Sequence, residues 1–187
     1  MSLSAVQGAL WPRALVLALL ALAIEYSRVL AGRLPGLAAA SLLGGGLALC
    51  LLALGRSPAD LGLGRDRLPA RLLGGLALAA VLLLPALARW GGGPVLAPGL
   101  ALAAVAVSIG EEVAFRGALF AVLLEVGGPG LAVLGSTLVW TAGHALSHPP
   151  EFLPAVAAAG LLFGIWRWAC RDLVGPIVGH GIADLTL

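Results

Sequence analysis

Long apolar runs, broken only by Gly, Pro and Arg, follow one another along nearly the whole chain. Seven can be marked, near Ala14–Leu30, Leu37–Leu54, Leu72–Leu87, Leu100–Val126, Leu131–Ser147, Leu153–Cys170 and Leu173–Leu187. Backbone placed in hydrocarbon has no water to bond, so only helices and closed barrels can cross it. The runs are rich in Ala and Leu and do not alternate, which selects helices over a barrel. Charged residues make up 11% of the chain, against about 25% in soluble domains, and the mean hydropathy is +1.05. These features predict an all-α, polytopic transmembrane bundle of about seven helices enclosing a polar cavity, with residues 1–187 as one integral-membrane domain. Several runs are shorter than the ~20 residues of a perpendicular span, so partial or embedded helices are expected among them.

Arginine placement gives an orientation. The connector "GRSPADLGLGRDRLPAR" carries Arg56, Arg65, Arg67 and Arg71, and basic loops stay on the cytoplasmic side. That places the N-terminus with Arg13 inside, together with Arg167 and Arg171, and leaves Arg28, Arg33 and Arg89 outside. Trp11, Trp90, Trp166 and Trp168 fall near run ends, where an interfacial aromatic belt sits. The first run leads into Glu25, Tyr26 and Arg28 rather than a small-residue cleavage site, and reads as a retained helix. A net charge of +2 with no basic stripe excludes nucleic acid as a partner. Cys50 and Cys170 lie in apolar runs without Cys-x-x-Cys spacing and read as small buried hydrophobes. Gly160-x-x-x-Gly164 and Gly175-x-x-x-Gly179 predict a tight pairing of the last two helices.

Against this background the stretch "IGEEVAFRG", residues 109–117, is costly. Each charge at a helix centre costs about 2.5–3.5 kcal/mol to insert. Two Glu and one Arg would together approach the whole stability of a domain, about 5–15 kcal/mol. Such groups must be paired, hydrated or neutral. Glu112 and Arg116 share a helix face at i,i+4 and form a natural ion pair. Glu111 points about 100° away, which leaves it free to face something else. Gly110 and Gly117 flank the charges and would let a neighbouring helix or a substrate come close. Taken alone, the cluster could equally be a brace between two helices.

Two further runs carry ionisable groups. "WTAGH" sets Trp140 and His144 at i,i+4, and "HGIAD" sets His180 and Asp184 at the same spacing. Three helices each bringing such a group into hydrocarbon suggest one convergent site. A carboxylate in a partly wet apolar cavity can act as general base on water. An imidazole beside it can orient that water, and a second His can donate to a developing oxyanion. Glu111, His144, His180 and Asp184 supply that set for peptide-bond hydrolysis. No His-Glu-x-x-His, Gly-x-Gly-Asp or Gly-x-Ser-x-Gly signature is present, and Ser108 and Ser136 lack the context of a nucleophile. His144 and His148 have metal-ligand spacing, but His148 precedes Pro149-Pro150 and reads as an interfacial loop residue. Glu25 with Arg28 reads as an i,i+3 pair near a helix end, and Glu125, Glu151 and Asp172 as interfacial charges.

The order Glu111-Glu112-x-x-x-Arg116, Trp140-x-x-x-His144, His180-x-x-x-Asp184 resembles the CPBP family, the CAAX prenyl endopeptidase and bacteriocin-processing (Abi) membrane proteins. "Phe-Arg-Gly" at 115–117 and "LGLGR" at 61–65 match as well, so the resemblance spans residues 55–187, the catalytic core on this reading. It implies an intramembrane endopeptidase acting on a membrane-associated peptide or protein. Glu111 and His144 would activate water, His180 and Asp184 would stabilise the oxyanion, and Glu112, Arg116 and Trp140 would support them. Trp140 stands where the family has Phe. Asp184 stands where Asn is common, and an ionised carboxylate cannot donate to an oxyanion. The resemblance leaves two forms open: one without cofactor, which is the expectation, and one in which Glu111, His144 and His180 hold zinc. The resemblance allows a prenylated CAAX substrate, but the short, Lys-free, Ala/Leu/Arg-rich chain points to a bacterial inner membrane and a bacterial substrate, such as a bacteriocin precursor, a peptide pheromone or a C-terminal sorting tail. A non-catalytic immunity or scaffold protein and a small proton-relay transporter remain the competing functions; the single polar centre and absence of internal symmetry speak against the transporter.

Overall fold

The computed structural model describes residues 3–64, 66–87 and 96–186; Arg65, Arg89 and Trp90, used above for topology, lie outside them. The described chain is all-helical: α1 Leu3–Gly32, α2 Ala38–Leu51, α3 Leu68–Leu87, α4 Pro98–Glu111, a π-helical stretch Glu112–Leu119, α5 Phe120–Gly143, α6 Leu153–Cys170 and α7 Val174–Thr186. Short 3-10 turns cover His144–Leu146 and Pro150–Phe152. The described residues form six helical stretches where about seven helices are expected, and the fourth of them is broken within α5. The difference lies between the fourth and fifth runs, which α5 joins without an intervening loop. Gly127 and Gly128 leave helical geometry there, Gly128 at a φ of 75°, and Pro129 follows.

That break is a reversal. Glu111 and Trp140, 29 residues apart, are joined by a 2.6 Å hydrogen bond, whereas a straight helix would hold them about 43 Å apart. A Cβ built on Gly135 would lie 2.9 Å from Leu123, across the same turn. By length and composition three stretches can cross a membrane, Leu10–Gly32, Pro98–Leu146 and Pro150–Cys170. Leu47, Leu73, Leu102 and Leu138 are all more than half exposed, as lipid-facing side chains are.

Glycine decides which helices touch. A Cβ on Gly46 would lie 2.4 Å from the Ala106 carbonyl oxygen, and one on Gly110 would lie 2.3 Å from that of Gly46. Helices α2 and α4 thus cross backbone to backbone, one residue from Glu111. Gly46→Leu should therefore cost about 3 kcal/mol, at the upper end for overpacking, read as a lowered melting temperature in detergent. Gly117 is closed off by Leu61 and Leu173. The two small-residue spacings near the C-terminus bring helices close, but to each other only at Gly175, where a Cβ would lie 2.6 Å from Trp166 Nε1 of α6. Gly160 and Gly164 pack on Thr137, Trp140 and Val133 of α5, and Gly179 packs on Leu78 of α3. Cys50 is half-buried and Cys170 exposed, which corrects the expectation that both are buried.

The connector after α2 is folded into the end of the bundle. Leu173 N–H donates to the Gly62 carbonyl at 3.0 Å. Arg167, buried, donates to the Asp60 carbonyl at 2.7 Å and to the Arg116 carbonyl at 3.1 Å. Asp172 is also buried. Its carboxylate accepts from the N–H groups of Val174 and Gly175, satisfying donors that open α7.

Candidate active site

Helices α1, α4 and α7, the π stretch and the 3-10 turn after α5 bring their ionisable groups to one place. π-helical turns insert a residue into the helical ladder and occur mostly at functional sites. Here the π stretch begins at Glu112, so Glu111 closes the α-helix and Glu112 opens the wider turn. Glu111, Glu112, Arg116, His144 and His180 are all buried, while the Asp184 side chain is 35% exposed.

Glu112 is held on both sides by one oxygen. Its Oε1 accepts from Arg116 Nη1 at 3.0 Å and from His180 Nδ1 at 2.9 Å. The i,i+4 pair read from the sequence is present, and it extends to the histidine of α7. The Arg116 guanidinium lies 4.1 Å from the Trp140 ring centroid and 5.5 Å from that of Phe163, within cation–π range. A Cβ on Gly160 would lie 3.2 Å from Arg116 Nη2, so the glycine makes room for the guanidinium.

Glu111 is not free. Its Oε1 accepts from Arg28 Nη2 at 2.5 Å, and its Oε2 from Trp140 Nε1 at 2.6 Å. Arg28 also pairs with Glu25, which is fully buried. The Arg28 stem packs where a side chain on Gly45 would otherwise stand. Glu25 and Arg28 therefore belong to the site. Each satisfies the other at i,i+3, so spacing alone gives no sign of their link to Glu111.

The histidines face Glu111 with defined atoms. His144 Nδ1 lies 2.9 Å from the Trp140 carbonyl oxygen; a carbonyl only accepts, so Nδ1 carries the proton and Nε2 is turned inward. That Nε2 stands 3.7 Å from Glu111 Oε2, and His180 Nε2 stands 4.0 Å from the same oxygen. Asp184 Oδ2 is 3.5 Å from His180 Nε2 and 2.7 Å from Ser108 Oγ. The serine, which no sequence motif marked as part of the site, has one hydroxyl proton to share between Asp184 and the Ala104 carbonyl, also in reach. His148 lies in the turn before Pro149, its ring 5.2 Å from that of His144 and stacked on Phe152.

A cleft of about 830 Å³ opens onto this cluster. Trp140, His144, His180 and Asp184 line one part of it; Val81 of α3 and Phe163 of α6 are among its apolar walls. The cleft is mainly apolar, not the polar cavity expected, and its polar groups are those of the cluster and His148.

Residues 93–186 match the family described as type II CAAX prenyl endopeptidase, Rce1-like. Comparison with curated proteins and with solved structures finds no match. The matched region holds all three motifs, and it leaves Glu25 and Arg28 outside. Half of the chain, carrying every motif of the cluster, places this protein in the Rce1-like family of type II CAAX prenyl endopeptidases.

Proposed function

We propose that the protein is an intramembrane endopeptidase in which Glu111 activates water for attack on a peptide bond of a membrane-associated peptide or protein. Membership of the family implies protease activity. The observation that carries the water-activating role is the spacing around Glu111 Oε2: His144 Nε2 at 3.7 Å and His180 Nε2 at 4.0 Å. These gaps are too long for direct hydrogen bonds, and a polar contact beyond 3.5 Å is the span one bridging water fits. Glu111 accepts the proton of that water as its oxygen attacks the carbonyl carbon, with His144 Nε2 orienting it. His180, protonated on both ring nitrogens in this role, gives its Nδ1–H to Glu112 and presents its Nε2–H, near Asp184, to the oxyanion. Glu111 then returns the proton to the leaving amine. Asp184 steadies His180 from the cleft side and does not itself donate to the oxyanion.

Zinc fits this donor set poorly. Among the described residues no three His, Cys, Asp or Glu side chains are arranged to enclose a metal ion. Arg28 also places a guanidinium directly on the carboxylate that would be the ligand, and a cation there opposes a second one. The chemistry proposed is metal-independent. The end carrying Arg56, Arg71 and Arg167 is assigned to the cytoplasm of a bacterial inner membrane with the N-terminus inside, which turns the histidine cleft toward the opposite face.

The test is proteolysis by the purified protein in liposomes holding candidate tail-anchored peptides, with new termini read by mass spectrometry. New termini are expected, at a rate unchanged by chelator. A rate abolished by chelator and restored by zinc would replace the water mechanism with a metal-dependent one, and no cleavage of any peptide would favour the scaffold function.

A further inference from the structure

The cleft at the histidines is not the only cavity. A second, of about 600 Å³, lies at the other end of the bundle. It is lined by the start of α5, whereas the end of α5 lines the catalytic cleft. Three arginines reach it, Arg56 from the connector and Arg167 and Arg171 from the end of α6.

Their donors are unequally used. Arg167 is occupied by the Asp60 and Arg116 carbonyls, and its guanidinium lies 5.4 Å from the Phe120 ring. Arg56 gives Nη1 to Glu125 Oε1 at 2.6 Å, while its Nη2 is sealed from solvent with no acceptor. Arg171 ends α6 in the left-handed conformation at a φ of 51°, with its side chain exposed and no hydrogen bond or ion pair to a described residue. The two carboxylates of the lining do not offset this evenly. Asp60 accepts from the Ser57 N–H and hydroxyl at 3.2 and 2.8 Å and forms no ion pair with the three arginines. Glu125 already serves Arg56. A buried or half-buried guanidinium with unmet donors favours an anionic oxygen ligand.

The other wall is apolar and open to the bilayer. Leu124 is 40% exposed and Trp168 is 52% exposed, and Trp at a helix end sits at headgroup level. Arg67 and Arg71 lie on the same connector, so by the arginine bias this end faces the leaflet that holds anionic lipid.

We propose that this cavity binds the headgroup of an anionic phospholipid, with Arg56 and Arg171 on the phosphate and the acyl chains leaving along Leu124 and Trp168. Arg167 forms the wall between this headgroup and the π stretch that carries Glu112. The proposal stands apart from the proteolytic reading and does not depend on it.

The test uses the full chain in phosphatidylcholine nanodiscs titrated with phosphatidylglycerol, with bound lipid read by native mass spectrometry and stability by thermal melting. One or two retained phosphatidylglycerols and a raised melting temperature are expected. Arg56→Gln with Arg171→Gln should weaken that retention by roughly thirtyfold, from about fivefold per arginine, with melting in pure phosphatidylcholine unchanged. Should the double variant fold poorly, Arg171→Gln alone, at an exposed position, should still lose about fivefold. The proposal is overturned if retention survives these changes, or if Arg67→Gln, outside the cavity, loses as much. A matching shift with free glycerol phosphate would overturn it too, as the mark of a small-anion site.

Discussion

Arg116→Met is expected to remove most folded protein. The guanidinium and the Glu112 carboxylate are both fully buried, and removing one partner of such a pair costs about 3–5 kcal/mol because the other charge is stranded. Against a total stability of about 5–15 kcal/mol, that loss leaves little margin. Glu112 Oε2 already lacks a partner, and among the described residues Arg116 is the arginine paired with this carboxylate; without it only His180 remains, on Oε1. The double variant Glu112→Gln with Arg116→Met removes both charges and should recover much of the loss. Size-exclusion yield and thermal melting of the single and double variants measure this. A single-variant loss below about 1 kcal/mol would mean that water screens the pair as it does at a surface.

Glu111→Gln carries the largest expected effect on chemistry. The amide keeps the shape of the side chain and an oxygen that can still accept from Arg28 or Trp140, and Arg28 retains Glu25. The fold should therefore survive with a melting temperature within a few degrees. What is lost is the group that takes the water's proton, and general-base catalysis contributes typically 10²–10⁴-fold. Cleavage should fall by about 10³-fold, in kcat rather than KM, since the role proposed for Glu111 is on the attacking water and not on substrate binding.

Much of this site was legible because its parts are local. Glu112 with Arg116, Trp140 with His144 and His180 with Asp184 each sit one helical turn apart, a spacing that sequence displays directly. Their charge, set in long apolar runs, announced them. What could not be read was long-range. Arg28 lies 83 residues before Glu111, and the nearer Glu25 offered a sufficient local partner. The available hint was that Glu25 and Arg28 interrupt an otherwise apolar helix as sharply as Glu111 and Glu112 do. The Gly-x-x-x-Gly spacings correctly marked close contact, but the partner of a small-residue face is set by the bundle. Gly127-Gly128-Pro129 marked a boundary, yet only the chain's return to place Trp140 on Glu111 makes it a hairpin. Asp172 looked interfacial because a capping role depends on where α7 begins.

The most direct measurement compares wild type, Glu111→Gln and Glu112→Gln on one cleavable membrane peptide, with rates divided by the amount of folded protein. The mechanism predicts that Glu111→Gln loses about 10³-fold while staying folded. It predicts that Glu112→Gln loses mainly yield, by stranding Arg116 and loosening His180. Cleavage by Glu111→Gln at the wild-type rate would contradict the assignment of Glu111 as the water-activating base.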